Sequence, residues 1–158
     1  MQTGKLSINS DNIFPIIKKW LYNEKDIYAR ELISNGSDAI TKLKKLKDLG
    51  DYVPKDENEK YQIDIIIDKD AKTIKFIDNG LGMTDEEIDK YINQIAFSGA
   101  KEFMESHQSD SEDNSIIGHF GLGFYSAFMV SESVKVESKA YGTNEANSWF
   151  SKGETLVK

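Results

Sequence analysis

The sequence predicts an α+β fold, a two-layer sandwich in which helices cover one face of a mixed or antiparallel sheet. Three observations carry that prediction: one long helical periodicity from Lys25 to Leu49, a hairpin pattern between Tyr61 and Asp78, and two short strand patterns after Ser133. With 158 residues, the chain is sized for a single domain over 1–158.

The elements follow in order. Ser10 or Asp11 caps a short helix whose apolar set is Ile13, Phe14, Ile16, Ile17, Trp20 and Leu21. The long helix carries Leu32, Ile33, Ile40 and Leu43 on one side and stops at Gly50. Tyr61 to Asp68 and Lys72 to Asp78 are rich in β-branched residues and flank the turn Asp68-Lys69-Asp70-Ala71, the pattern of an antiparallel hairpin. Thr84 and Glu87 form a capping box that opens a helix through about Ile95. Ser98 caps another, from Gly99 to about Ser106, and the polar, acidic stretch from His107 to Ser115 reads as a surface loop. Phe124 to Val130 is apolar enough for a buried helix of two turns. Ser133 to Ala140 alternates as a strand, Tyr141 to Asn147 is a turn, and Ser148 to Ser151 begins another strand.

Composition narrows the function. At 39% hydrophobic and 30% charged residues, with 2 Pro and 11 Gly, this is the make-up of a globular protein, not of a disordered or collagen-like chain. No apolar run reaches the roughly 20 residues of a membrane helix, and the first 20 residues lack a signal-peptide pattern, so a cytoplasmic chain without a membrane partner is expected. The absence of cysteine excludes disulfides, thiolate metal sites and a cysteine nucleophile. A net charge of −7 argues against a nucleic-acid surface, which needs clustered Lys and Arg. Arg30 is the sole arginine, so a guanidinium acting on phosphoryl charge would have to come from elsewhere.

Three segments are candidates for chemistry. Glu31, Asn35, Asp38 and Lys42 stand at offsets of 4, 7 and 11 and, at roughly 100° per residue, share one stripe of the long helix. The stripe reads either as a solvated flank with i,i+4 pairs or as the border of a pocket. Asn35 and Gly36 are poor helix formers, Gly costing about 1 kcal/mol against Ala, so folding alone explains them badly. Asp78 to Thr84 reads as a turn between strand and helix, or as a carboxylate at a strand end able to accept from an exocyclic amine, with Gly82 admitting a flat ring. Gly118 to Gly123 is a packing turn or an anion cradle before a helix. Its Gly-x-x-Gly-x-Gly spacing is neither a Walker loop nor the dinucleotide fingerprint. His119 and His107 are too few for a histidine metal site.

Taken together, Arg30-Glu31-Leu32-Ile33-Ser34-Asn35-Gly36-Ser37-Asp38-Ala39, Asp78-Asn79-Gly80-Leu81-Gly82-Met83-Thr84 and Gly118-His119-Phe120-Gly121-Leu122-Gly123-Phe124-Tyr125-Ser126 closely resemble the amino-terminal ATP-binding domain of the heat shock protein 90 chaperones, especially the bacterial form. Gyrase B, MutL and sensor histidine kinases share the Asn, Asp-x-Gly-x-Gly and Gly-x-x-Gly-x-Gly elements. The Glu-Leu-Ile-Ser-Asn, Gly-Met-Thr and Gly-Phe-Tyr-Ser-Ala-Phe contexts resemble the chaperone branch in particular. The likeness extends to about Trp149.

The resemblance implies a Bergerat-type left-handed sandwich that binds ATP or ADP with Mg²⁺ and hydrolyses ATP to ADP and phosphate. It implies that Glu31 is the general base for the attacking water and that Asn35 joins Mg²⁺ to the phosphates. It implies further that Asp78 reads adenine with Gly82 and Met83 beside the ring, and that Asp38, Ala39 and Lys42 line the pocket. Gly121, Gly123 and Phe124 then belong to the phosphate loop, and Gly99 opens a lid over about 99–123. In the whole chaperone, ATP closes the lid, drives homodimerisation and serves unfolded clients. The separate domain is expected to be monomeric and slow, since the family borrows its catalytic arginine from a further domain.

Three departures from the family carry expectations. Phe97 replaces the usual basic residue before Ser98-Gly99, which lowers nucleotide affinity. Gly36 replaces the usual Ala, loosening the helix without touching the site contacts. The chain is shorter at its carboxy end than the family domain and incomplete after about 150. Two alternatives stand beside the ATPase: a nucleotide binder without turnover, and a histidine-kinase-type catalytic domain, which needs no base such as Glu31.

Overall fold

The computed structural model describes residues 2–3, 26–95 and 123–152. The helix expected over 9–22, the one expected over 99–106 and the acidic stretch 107–115 lie outside the described residues. The chain divides into two compact units, Met1–Glu31 with Met83–Lys158, and Leu32–Gly82. Both helices and sheets are present, as an α+β fold requires.

Helix α1, Ile27–Asp48, matches the predicted long helix to within two residues at its start and one at its end. Lys45 and Lys47 sit in its last turn, where cations complement the helix dipole. Gly50 adopts φ +81° beyond the end, the left-handed conformation in which a chain leaves a helix at least cost. Gly36, Ile40 and Leu43 form the buried line of the helix within the Leu32–Gly82 unit, while Ile33, expected inside, is exposed.

In the same unit, β2 (Ile63–Asp68) and β3 (Thr73–Asp78) pair antiparallel, with Ile63 opposite Asp78 and Asp68 opposite Thr73. The turn is one residue longer than the sequence suggested, because Asp68 Oδ1 accepts from the backbone N–H groups of both Asp70 and Ala71, and Lys72 closes the loop at φ 53°. At the open end, the Asn79 amide takes the place of another ladder rung. Its Oδ1 accepts from Gln62 N–H at 2.8 Å and its Nδ2 donates to the Lys60 carbonyl at 2.6 Å.

The other unit holds a mixed three-stranded sheet in the order β1 (Gln2–Thr3), β5 (Asn147–Ser151), β4 (Val134–Ser138). Strand β5 runs antiparallel to β4 and parallel to β1. Two residues are too short for any periodicity, which is why β1 was not legible in the sequence. Trp149 is fully buried, with Ile88 and Ile92 beside it, and Met83, Phe124, Phe128, Val134 and Val136 pack around them. Phe124 and Phe128 meet the indole edge-on at 5.6 and 6.4 Å between centroids, and each other at 5.9 Å. Such pairs add about 0.5–1.5 kcal/mol each beyond their buried area.

Helix α2, Asp85–Ile88, starts with the predicted capping box. The Thr84 hydroxyl accepts from Glu87 N–H while the Glu87 carboxylate accepts from Thr84 N–H. Such a cap is worth about 1 kcal/mol. Two windings differ from expectation. Beyond Ile88 the chain continues as a π-helix over Asp89–Ile95. The buried pair Ile88 and Ile92 cannot reveal this from sequence, since a spacing of four is close to one turn in either winding. Gly123–Met129 is a 3₁₀ helix instead of an α-helix. There the Ser126 hydroxyl donates to the Gly123 carbonyl three residues back, occupying an acceptor that an α-helix would need one residue later.

Candidate functional site

The stripe forms as the spacing required, on one face of α1. Asn35, Asp38 and Lys42 are exposed, whereas Glu31 and Ala39 are half-buried. Gly123 lies against Glu31: a Cβ at position 123 would overlap the Glu31 carboxylate, the far end of a flexible side chain, which would have to shift. Two residues 92 positions apart are thereby in contact. Burial pushes the Glu31 carboxyl above its ordinary value of 4.5, and the Arg30 guanidinium opposes the shift. Arg30 itself pairs with Asp26 at 3.7 Å, one turn earlier and exposed.

The sign of the Glu31 shift has two consequences. Ionised Glu31 is less favourable folded than unfolded, so its contribution to stability improves as pH falls through the folded value. As a base it works only when ionised, so any turnover that uses it falls in the same interval. We expect the acid limb of the wild-type turnover-against-pH profile to lie above 4.5. A limb at or below the free glutamate value would contradict this.

In the Leu32–Gly82 unit, the segment after β3 docks on α1. A Cβ on Gly80 would lie 2.6 Å from the carbonyl carbon and Cβ of Ala39 and 2.7 Å from the Ile40 nitrogen. Leu81 N–H donates to the Ala39 carbonyl at 3.2 Å. Within the segment that follows β3, Asn79 ties the hairpin and Gly80 permits contact with helix backbone. A substitution Gly80→Ala should cost about 1–3 kcal/mol or more, since helix backbone cannot yield as the end of a side chain would. Chemical denaturation of the two proteins checks this; an unchanged midpoint would refute the packing argument.

Asp78 stands at the end of β3. Its Oδ1 accepts from Gly80 N–H at 2.9 Å, which orients the carboxylate, and Oδ2 has no hydrogen-bond partner among the described residues. Gly36 abuts it: a Cβ at 36 would lie 3.2 Å from Asp78 Cβ and 3.2 Å from Ile63 Cδ1. Gly36 thus lies against Asp78 and Ile63, and a side chain there would require a neighbour to give by a few tenths of an ångström. The signal was present in the sequence as an unfavourable residue in mid-helix, but its target could not be named before the hairpin was placed on the helix.

Gly82 has φ +70°, so a backbone requirement adds to any need for ring access. After it, Met83 is held by the sheet of its own unit, its N–H donating to Ser138 Oγ at 2.8 Å and its carbonyl accepting from Asn147 Nδ2 at 3.4 Å. Neither partner was identified from sequence; Ser138 is one of the unremarkable residues of an alternating strand. The Phe124 ring is committed to the Trp149 core, leaving its backbone for any ligand contact. Gly99 and Gly121 lie outside the described residues. Among the described residues there is no group of three or more His, Cys, Asp or Glu side chains that could hold a metal ion. One amide oxygen, at Asn35, still suits Mg²⁺ carried on phosphates, since that ion keeps most of its waters.

Within the Leu32–Gly82 unit, then, Asn35 lies on the helix against which an oriented carboxylate at a strand end is placed, and in the other unit a glycine-bounded turn meets Glu31. The sequence matches the model of the histidine kinase-, DNA gyrase B- and HSP90-like ATPases over residues 29–153, and the chain belongs to that family. Within it, the similarity is to bacterial chaperones: 51% identity over 138 residues to the chaperone protein HtpG of Porphyromonas gingivalis, covering 87% of this chain and 20% of that one. The corresponding values are 51% over 141 residues for HtpG of Bacteroides fragilis, covering 89% and 20%, and 43% over 153 residues for HtpG of Clostridium botulinum, covering 97% and 24%. The chain thus spans about a fifth to a quarter of the length of these curated relatives.

Proposed function

We propose that this chain is the ATP-binding, slowly ATP-hydrolysing module of an HtpG-like chaperone. The observation that carries the reading is the oriented Asp78 carboxylate at the end of β3, with Asp78 Cβ beside Gly36 of α1, the helix that also bears Asn35. An ionised carboxylate accepts hydrogen bonds and cannot donate, which selects an amine-bearing base over a 6-oxo purine. Gly82 and Met83 serve the ring, and Asp38, Ala39 and Lys42 serve the rest of the nucleoside. Asn35 would hold the Mg²⁺ that accompanies the phosphates, and the ion would supply neutralisation of phosphoryl charge. Glu31 accepts the proton of the attacking water, aided by a carboxyl whose burial makes it a stronger base than free glutamate.

The family's left-handed two-layer sandwich, faced by helices on one side, is part of the proposal. So are a lid over about 99–123 with Gly99 and Gly121, placement in the cytoplasm, and ATP-linked homodimerisation with action on unfolded clients by a longer protein. Among the described residues no helix is long and apolar enough to cross a membrane. With Arg30 as sole arginine and directly beside Glu31 in sequence, turnover by this chain alone should be slow.

Calorimetric titration with ADP and Mg²⁺ tests the binding reading. Saturable one-to-one heat, absent with GDP, is expected. Folded protein that gives no heat with ADP, or equal heat with GDP, would defeat it.

A further inference from the structure

We propose that Ser138 is a positioning residue that orients the Gly82–Met83 peptide and thereby sets how strongly the adenine ring is held. The inference rests on the reading, given above, that Gly82 and Met83 serve the ring. Ser138 ends β4, and its partner across the ladder is Asn147, the first residue of β5. Side chains alternate along a strand, so this rung projects from the same face as Val134, Val136 and Trp149, and Met83 packs against the Trp149 cluster. The two side chains of the rung divide the Met83 backbone between them. Ser138 Oγ accepts from Met83 N–H at 2.8 Å, and Asn147 Nδ2 donates to the Met83 carbonyl at 3.4 Å.

These contacts act on different peptides. The Met83 carbonyl belongs to the peptide shared with Thr84, which the capping box also holds through the bond from Thr84 N–H to Glu87 at 2.9 Å. The Met83 N–H belongs to the peptide shared with Gly82, and among the described residues the Ser138 hydroxyl is its hydrogen-bond partner. Gly82, at φ +70°, has no side chain to add a second restraint. Rotation of that peptide about its flanking bonds is therefore opposed by one hydroxyl. A trans peptide is flat, with N–H and C=O pointing in opposite directions, so an N–H fixed on Ser138 also fixes the plane offered to a ring and the line of the Gly82 carbonyl. The bond spans 55 residues, so the sheet dictates that plane and the local turn does not.

The test compares Ser138→Thr with Ser138→Val, two branched side chains of nearly equal size of which only the first can accept the Met83 N–H. Dissociation constants of ADP and of adenosine are measured for each, together with amide hydrogen exchange by NMR. Ser138→Val should speed exchange at Met83 by about tenfold while Ile88 and Trp149 stay within about twofold of wild type. It should weaken ADP and adenosine alike by about fivefold, the worth of one neutral hydrogen bond. Ser138→Thr should keep every value within about twofold of wild type. Faster exchange at Ile88 and Trp149 as well, or an equal loss of affinity in Ser138→Thr, would overturn the proposal by showing ordinary packing, and so would an unaltered Met83 amide in Ser138→Val. Undiminished affinity in Ser138→Val with a freed Met83 amide, or weakening of ADP but not of adenosine, would overturn it while leaving the nucleotide reading intact. A folded wild type that binds neither ADP nor adenosine would overturn both.

Discussion

Asp78→Asn should weaken ADP binding by about 100-fold or more while leaving the protein folded. The side chain can still accept from Gly80 N–H through its remaining carbonyl oxygen, so the turn onto Ala39 is preserved. What changes is the other position of the carboxylate. Its Oδ2 becomes either an N–H₂ that opposes the adenine amine, donor against donor, or an uncharged oxygen with its amide partner displaced from Gly80. A hydrogen bond to a charged group contributes about 1.5–3 kcal/mol, and an unpaired buried donor costs a similar amount again. At 1.4 kcal/mol per tenfold, the two together exceed about 100-fold. Titration calorimetry with a parallel thermal melt measures both quantities. An Asp78→Asn protein that binds ADP within about threefold of wild type would remove Asp78 from the site.

Glu31→Ala should abolish turnover without loss of ATP affinity. A positioned general base contributes about 10²–10⁴-fold, and an enzyme that is already slow would fall to the background of the assay. Affinity should hold within about threefold, because a base that meets the water contributes to the transition state and not to ground-state binding. The contact with Gly123 complicates the alanine variant, since removing the carboxylate leaves space above the 3₁₀ turn. Glu31→Gln keeps that volume and still lacks the base, so both variants should lose phosphate release. Retained turnover in Glu31→Gln would exclude Glu31 as the base, and undetectable turnover in the wild type would favour the binding-only alternative.

The long helix, the hairpin and the capping box were legible because each is governed by local rules: a 3.6-residue apolar period, β-branched runs around an Asp-rich turn, and a Thr and Glu three residues apart. Those rules do not reach tertiary contacts. Gly36, Gly80 and Gly123 all read as turn or flexibility residues in sequence, yet none of them has its importance in backbone freedom. Another group lies against each: Asp78 and Ile63, the backbone of Ala39 and Ile40, and the flexible end of Glu31. The same limit hid Ser138 and Asn147, whose hydrogen bonds to Met83 span 55 and 64 residues. The windings at Asp89–Ile95 and Gly123–Met129 escaped for a different reason, since apolar spacing over seven residues does not separate α, π and 3₁₀ geometry.

Residues proposed for the nucleotide were easier to nominate than to explain. Asn35 and Gly36 stood out because they lower helix propensity, and Asp78 because a carboxylate followed by Asn-Gly ends a strand. The structure supplies the connection between them: the hairpin end lies on α1 at Gly36 and Ala39, so the residue that weakens the helix locally is also the one that admits Asp78.

The most direct test is a residue-resolved one. Amide NMR spectra of the isotopically labelled protein, recorded with and without ADP and Mg²⁺, should show saturable shifts concentrated at Asn35, Ala39, Gly80, Leu81, Gly82 and Met83, with the hairpin turn around Asp70 unaffected. Shifts confined to other parts of the chain, or none at saturating nucleotide, would contradict the assignment of the nucleotide to α1 and the segment that follows β3.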